Sequence, residues 1–107
     1  MNDVSTTDTV GIWTRGPLVL NIAERTLHRD GVRVPLTGAM YKLLEALVMA
    51  NGRDLSAETA YVHALGRRPH GEDRALAVLV CGLRKRVGPE VDIRTVWGRG
   101  YWMAAWS

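Results

Sequence analysis

The chain has 107 residues, 47% of them hydrophobic and 23% charged, which suffices for one packed core and leaves no length for a second. A formal charge of +3 permits an acidic or nucleic-acid partner without demanding one. Cys81 is the only cysteine, which excludes an intrachain disulfide and a cysteine-based zinc cluster, and no apolar stretch reaches the roughly 20 residues of a membrane helix.

The first ten residues, MNDVSTTDTV, are polar and lack the basic start and apolar run of a secretory signal, so a cytoplasmic protein is expected. Residues 1–9 read as a disordered lead-in to a single domain over 10–107. From Val10 to Leu36 the pattern has a strand period. Leu18, Leu20 and Ile22 alternate with Val19, Asn21 and Ala23, and Asp30-Gly31 is a two-residue hairpin signal, because a type I′ turn needs positive φ at both central positions. About four short antiparallel strands are predicted here.

Thr37 is a good N-cap for a helix over residues 38–50, in which Tyr41, Leu44, Leu47 and Val48 recur at helical spacing before Asn51-Gly52 stops it. A second helix over about 56–65 has Ser56 as its N-cap and is ended by Gly66. A basic loop, Arg67-Arg68-Pro69-His70-Gly71, leads to a third helix over 72–87. Glu72 and Asp73 suit its N-terminus, Arg84-Lys85-Arg86 suit its C-terminus, and Gly88-Pro89 ends it. Its Leu76, Val80, Leu83 and Val87 share one side, for packing. Val91, Ile93, Thr95 and Trp97 then alternate, Gly98-Arg99-Gly100 reads as a tight turn, and Tyr101-Trp102-Met103 returns. The fold class is α+β: an N-terminal four-stranded antiparallel sheet, three helices and a C-terminal β-hairpin. A helix pair followed by a two-stranded ribbon is the winged helix-turn-helix plan, with the third helix as groove reader and the hairpin as wing.

A specific set of short segments carries a resemblance. Pro35-Leu36-Thr37 with Tyr41-Lys42-Leu43-Leu44, then Asn51-Gly52, Ser56-Ala57-Glu58, Glu72-Asp73-Arg74, Leu83-Arg84-Lys85-Arg86 and Thr95-Val96-Trp97-Gly98-Arg99-Gly100-Tyr101 occur in this order. Together they resemble the DNA-binding effector domain of OmpR/PhoB-type bacterial response regulators. The resemblance implies that the third helix enters the major groove and the wing approaches the minor groove of double-stranded DNA. It implies phosphate contacts from Arg74, Arg84 and Thr95, to which Lys85 and Arg99 could add, and a loop at Arg67, Arg68 and His70 that can meet RNA polymerase. Members often pair on tandem half-sites, so a dimer on DNA is possible. These 107 residues hold no receiver domain, and a free-standing regulator is expected in preference to a shortened piece of a longer one.

The reading surface departs from that family. By helical spacing the outward face of the third helix comprises Arg74, Ala75, Ala77, Val78, Cys81, Gly82 and Lys85. Where the family carries base-reading or phosphate-binding side chains, this chain has Ala75, Ala77, Cys81 and Gly82. None of these can make the bidentate hydrogen bonds that distinguish bases. Trp97 stands where the family's wing usually has arginine, and brings no charge to a minor groove. Two readings follow. In the first, DNA is held mainly through phosphates with weak or altered base specificity. In the second, specific DNA binding is lost, and the third helix with the loop before it binds a protein, either RNA polymerase or another transcription regulator. Gly82 inside a helix wants a reason, such as close approach of a partner. Trp97, Trp102 and Trp106 are expected to pack the hairpin rather than to stack on bases. An outward Cys81 is expected to be a tolerated small residue rather than a redox thiol. His28, His63 and His70 form no metal spacing, and no catalytic set is recognisable, so no enzyme, cofactor or metal is expected.

Overall fold

The computed structural model describes residues 11–71 and 73–107; the expected lead-in over 1–9 and the contribution of Glu72 lie outside them. Four short strands, β1 (Ile12–Arg15), β2 (Leu18–Asn21), β3 (Thr26–Arg29) and β4 (Val32–Val34), form an antiparallel meander in sequential order. Asp30 and Gly31 both take positive φ between the paired residues Arg29 and Val32, as the hairpin signal required. Leu18, Leu20 and Leu27 turn inward to the core and are fully buried or nearly so.

Helix α1 (Gly38–Ala50) runs beneath that sheet. The Thr37 hydroxyl accepts from the Met40 amide, and Asn51 in the left-handed region closes the C-terminus. Tyr41, Leu43, Leu44, Ala46, Leu47 and Val48 are all buried, more than one face of a surface helix would bury, so α1 is the central element. Helix α2 (Ala57–Leu65) has Ser56 as its N-cap, as the sequence pattern suggests, its hydroxyl accepting from the Thr59 amide. Helix α3 (Ala75–Val87) buries Leu76, Val80, Leu83 and Val87, the four residues assigned to its packing side. Its start is later than residue 72. Asp73 stands outside the helix and its Oδ1 accepts from the Ala75 amide at 2.9 Å, satisfying one of the orphan donors of the first turn.

A second sheet closes the chain. Strands β6 (Ile93–Val96) and β7 (Gly100–Met103) form the expected hairpin, and a two-residue strand before α2, β5 (Leu55–Ser56), pairs with β7 to give the order β5-β7-β6. The turn is Trp97-Gly98-Arg99, one residue earlier than expected. The Arg99 amide donates to the Val96 carbonyl at 2.9 Å, and Gly98 takes φ +81° at the third position of that turn. Gly100 belongs to β7 for a steric reason: a β-carbon there would lie 2.1 Å from the Leu55 carbonyl oxygen and 2.6 Å from the Ala57 amide. The two sheets and α1–α3 share one hydrophobic core, which Met103 and Trp106 enter from the C-terminus.

Candidate nucleic-acid interface

Helix α3 presents one open stripe. Ala77, Val78, Cys81 and Lys85 are exposed, with Arg74 exposed at the N-cap position. Val78 is 69% exposed, an apolar side chain with nothing packed on it. Two residues assigned to this face from spacing leave it. Ala75 is half-buried and packs against the core. Gly82 is half-buried, and a β-carbon on it would come within 2.7 Å of the Met40 terminal methyl on α1. A side chain at Gly82 would have to displace the flexible end of Met40.

The basic residues around this stripe divide into engaged and presented groups. Arg84 sits at the junction of helix and wing. Its Nε donates to the Ile93 carbonyl at 2.9 Å, and its Nη2 approaches the Thr95 hydroxyl at 3.4 Å. One guanidinium therefore braces β6 against α3, so Arg84 and Thr95, assigned separately as phosphate contacts, form one unit. Lys85 and Arg74 are exposed. Arg99, on the wing turn, pairs with Asp54 at 2.6 Å, which ties the turn back to the residue before β5.

The loop between α2 and α3 is more structured than its composition suggests. Arg67 pairs with Asp73 at 3.0 Å and its guanidinium lies 5.2 Å above the Tyr61 ring. The Tyr61 hydroxyl also donates to Asp73. These bonds, first the tyrosine hydroxyl, then the Ala75 amide, then Arg67, hold the Asp73 carboxyl at a pKa of about 2. Burial, then the hydrogen bond to Asp73, raises that of Tyr61. Arg67 therefore supports the start of α3 while its side chain stays 48% exposed. Arg68 bridges Glu58 at 3.2 Å but stays 82% exposed, and His70 is exposed. Sequence reasoning missed Asp73 as the organiser of this loop; an Asp two residues ahead of a helix was the available signal.

The tryptophans separate. Trp106 is buried, and Trp102 is half-buried, donating to the Gly52 carbonyl at 2.8 Å beneath the Arg94 guanidinium, 5.3 Å from the ring. Both fulfil the packing expectation. Trp97 does not: it is 90% exposed, because it occupies the turn rather than a strand and has no cross-strand neighbour.

Residues 31–103 match the family described as "Transcriptional regulatory protein, C terminal". The chain belongs to that family, as an OmpR/PhoB-type winged-helix effector domain. It is a family of transcription regulators, not of enzymes. The effector domain is 39% identical over 94 residues to the cell cycle response regulator CtrA of Brucella anthropi, covering 84% of this chain and 40% of that protein. The domain thus spans less than half the length of this relative. Among solved structures it is similar to the DNA-binding domain of CpxR from E. coli, with a TM-score of 0.78 and 28% identity over 90% of this chain and 98% of that one. It is also similar to the Klebsiella pneumoniae RstA DNA-binding domain in complex with the RstA box, with a TM-score of 0.74 and 26% identity over 87% and 96% of the two chains.

Proposed function

We propose that this effector domain, residues 10–107, binds double-stranded DNA mainly through phosphates and regulates transcription with weak or altered base specificity. The observation that carries this reading is the composition of the α3 stripe. Ala77, Val78 and Cys81 hold its centre, and the cations Arg74 and Lys85 stand at its ends. Such a face can lie in a major groove and meet thymine methyl groups, but its centre offers no donor or acceptor pair to a base edge. Arg84 and Arg99 keep part of their guanidinium groups outward while bracing the wing. Similarity to the RstA domain in complex with its box supports the duplex as ligand. A cytoplasmic, nucleoid-associated protein follows from this reading, with pairing on DNA as a further possibility.

The same stripe offers Val78 to a protein partner, and Arg68 and His70 are the loop residues that a polymerase surface could meet.

A mobility-shift titration across salt tests the phosphate reading. With Arg74, Arg84, Lys85 and Arg99 engaged, log affinity should fall against log salt with a slope of roughly −3 to −4, about 0.9 for each cation. Unrelated duplexes of equal length should give similar salt slopes. Failure to bind any duplex at low salt would reject DNA as the ligand.

A further inference from the structure

The wing turn exposes a tryptophan, the largest kind of side chain, on a backbone held in place. Trp97 is 90% exposed, while Trp13, Trp102 and Trp106 are buried or half-buried. The turn that carries it is held from several directions. Arg99 donates its amide to Val96, accepts at its carbonyl from the Ala57 amide at 3.0 Å, and pairs through its guanidinium with Asp54. Gly100 presses against the backbone of residues 55–57 so closely that no β-carbon fits. These contacts fix the backbone of the turn on which the indole stands. A shallow groove lined by Ala57, Thr95, Val96 and Tyr101 runs beneath the crest.

The surroundings of Trp97 are polar, and each hairpin arginine is paired with a carboxylate, Arg99 with Asp54 and Arg94 with Asp92, both at 2.6 Å. Gly98, Thr95, Arg99 and Arg94 are its exposed neighbours on the hairpin, and the other large exposed apolar residues lie on different elements. A lone, exposed aromatic ring in a domain that also exposes the cations Arg74 and Lys85 suits a polyanion with apolar slots between its bases. Grooves alternate along a duplex, so a hairpin flanking a helix seated in the major groove meets the adjacent minor groove.

We infer that Trp97 is a wedge: its indole enters the minor groove and partly unstacks a deformable pyrimidine–purine step. Site selection by this domain is then set at the wing crest, through the cost of deforming DNA, in place of the base contacts that α3 lacks. This inference rests on the duplex-binding reading above.

The test uses three proteins, wild type, Trp97→Ala and Trp97→Arg, and two duplexes of equal length and composition. One duplex has a central TA step and the other an uninterrupted A-tract. Affinity, iodide quenching of tryptophan emission, and end-to-end energy transfer across the duplex are measured. Wild type should bind the TA duplex about tenfold more tightly than the A-tract, shield its exposed tryptophan from iodide and bend the DNA. Trp97→Ala should lose the preference and the bend. Trp97→Arg should bind without bending and favour the narrow groove of the A-tract. If wild type binds both duplexes with Trp97 still open to iodide, or if Trp97→Ala keeps the preference, the wedge is wrong and the phosphate reading stands. If wild type binds no duplex at low salt, both fall together.

Discussion

Asp73 shows how much one side chain organises at this site. It accepts from the Tyr61 hydroxyl, from the Ala75 amide and from Arg67, and so joins α2, the loop and the first turn of α3. Its carboxyl is held at a pKa of about 2, well below the ordinary aspartate value. A folded-state value below the unfolded one stabilises the protein when the group is ionised. That stabilisation is complete above about pH 4 and is lost as pH falls through about 2. Asp73→Asn should therefore lie below wild type in urea-unfolding midpoint at neutral pH, and the gap should close progressively between about pH 4 and pH 2. Tyr61→Phe should reproduce much of the effect, since the hydroxyl contributes most to the shift. A gap that stays constant across that pH range would show that Asp73 acts without its charge. Arg67 belongs to the same unit, so a loop-contact experiment should replace Arg68 and His70 and leave Arg67 in place.

At the scale of elements, α3 and the wing are joined by Arg84, and this alters what its substitution reports. Arg84→Ala removes the bond to the Ile93 carbonyl, worth about 1 kcal/mol net, and should lower Tm by about 5 °C in a domain of this size. Lys85→Ala touches no other element and should leave Tm unchanged while reducing the salt slope of duplex binding by about 1. Calorimetry and the salt titration on both variants separate brace from phosphate contact; an Arg84→Ala protein with unaltered Tm would refute the brace. The elements themselves were legible in the sequence wherever a repeat was long enough. The apolar faces of α1 and α3 and the Asp30-Gly31 hairpin all stand where the pattern placed them. Strand β5 was not legible, because two residues carry no period. The wing turn was misplaced by one residue because Gly98 and Gly100 look alike in sequence, and only the approach of the Leu55 carbonyl tells them apart. Spacing gave the right α3 stripe at Ala77, Val78, Cys81 and Lys85. It failed at Ala75 and Gly82, where the width of the buried face depends on how closely α1 packs.

Across the whole molecule, the N-terminal sheet reaches the far end of α3 through Arg29, a link between residues too distant in sequence for any local pattern to signal. Arg29 on β3 donates to the Val87 carbonyl in the last turn of α3 and pairs with Glu90 at 2.8 Å. The ion pair lowers the carboxyl pKa of Glu90, the hydrogen bond from Arg29 being the largest cause. Gly88 leaves room for this crossing: it takes φ +78°, and a β-carbon there would stand 2.5 Å from the Arg29 guanidinium. The C-terminus of α3, with Arg84 and Lys85 in its last turns, is thus held by the sheet as well as by its own packing. Arg29→Ala leaves the Val87 carbonyl without this donor and should speed hydrogen exchange at the Gly88 amide and its helical neighbours, while the β1–β2 amides stay protected. Arg29→Lys keeps the charge opposite Glu90 but not the fork that serves carbonyl and carboxylate together, so its exchange should fall between the two. Duplex affinity should follow the same order, wild type above Arg29→Lys above Arg29→Ala, because a frayed last turn no longer holds Lys85 in place. Unchanged exchange in the last turn of Arg29→Ala would mean that α3 is fixed by Leu83 and Val87 alone, and that sheet and reading helix are mechanically independent.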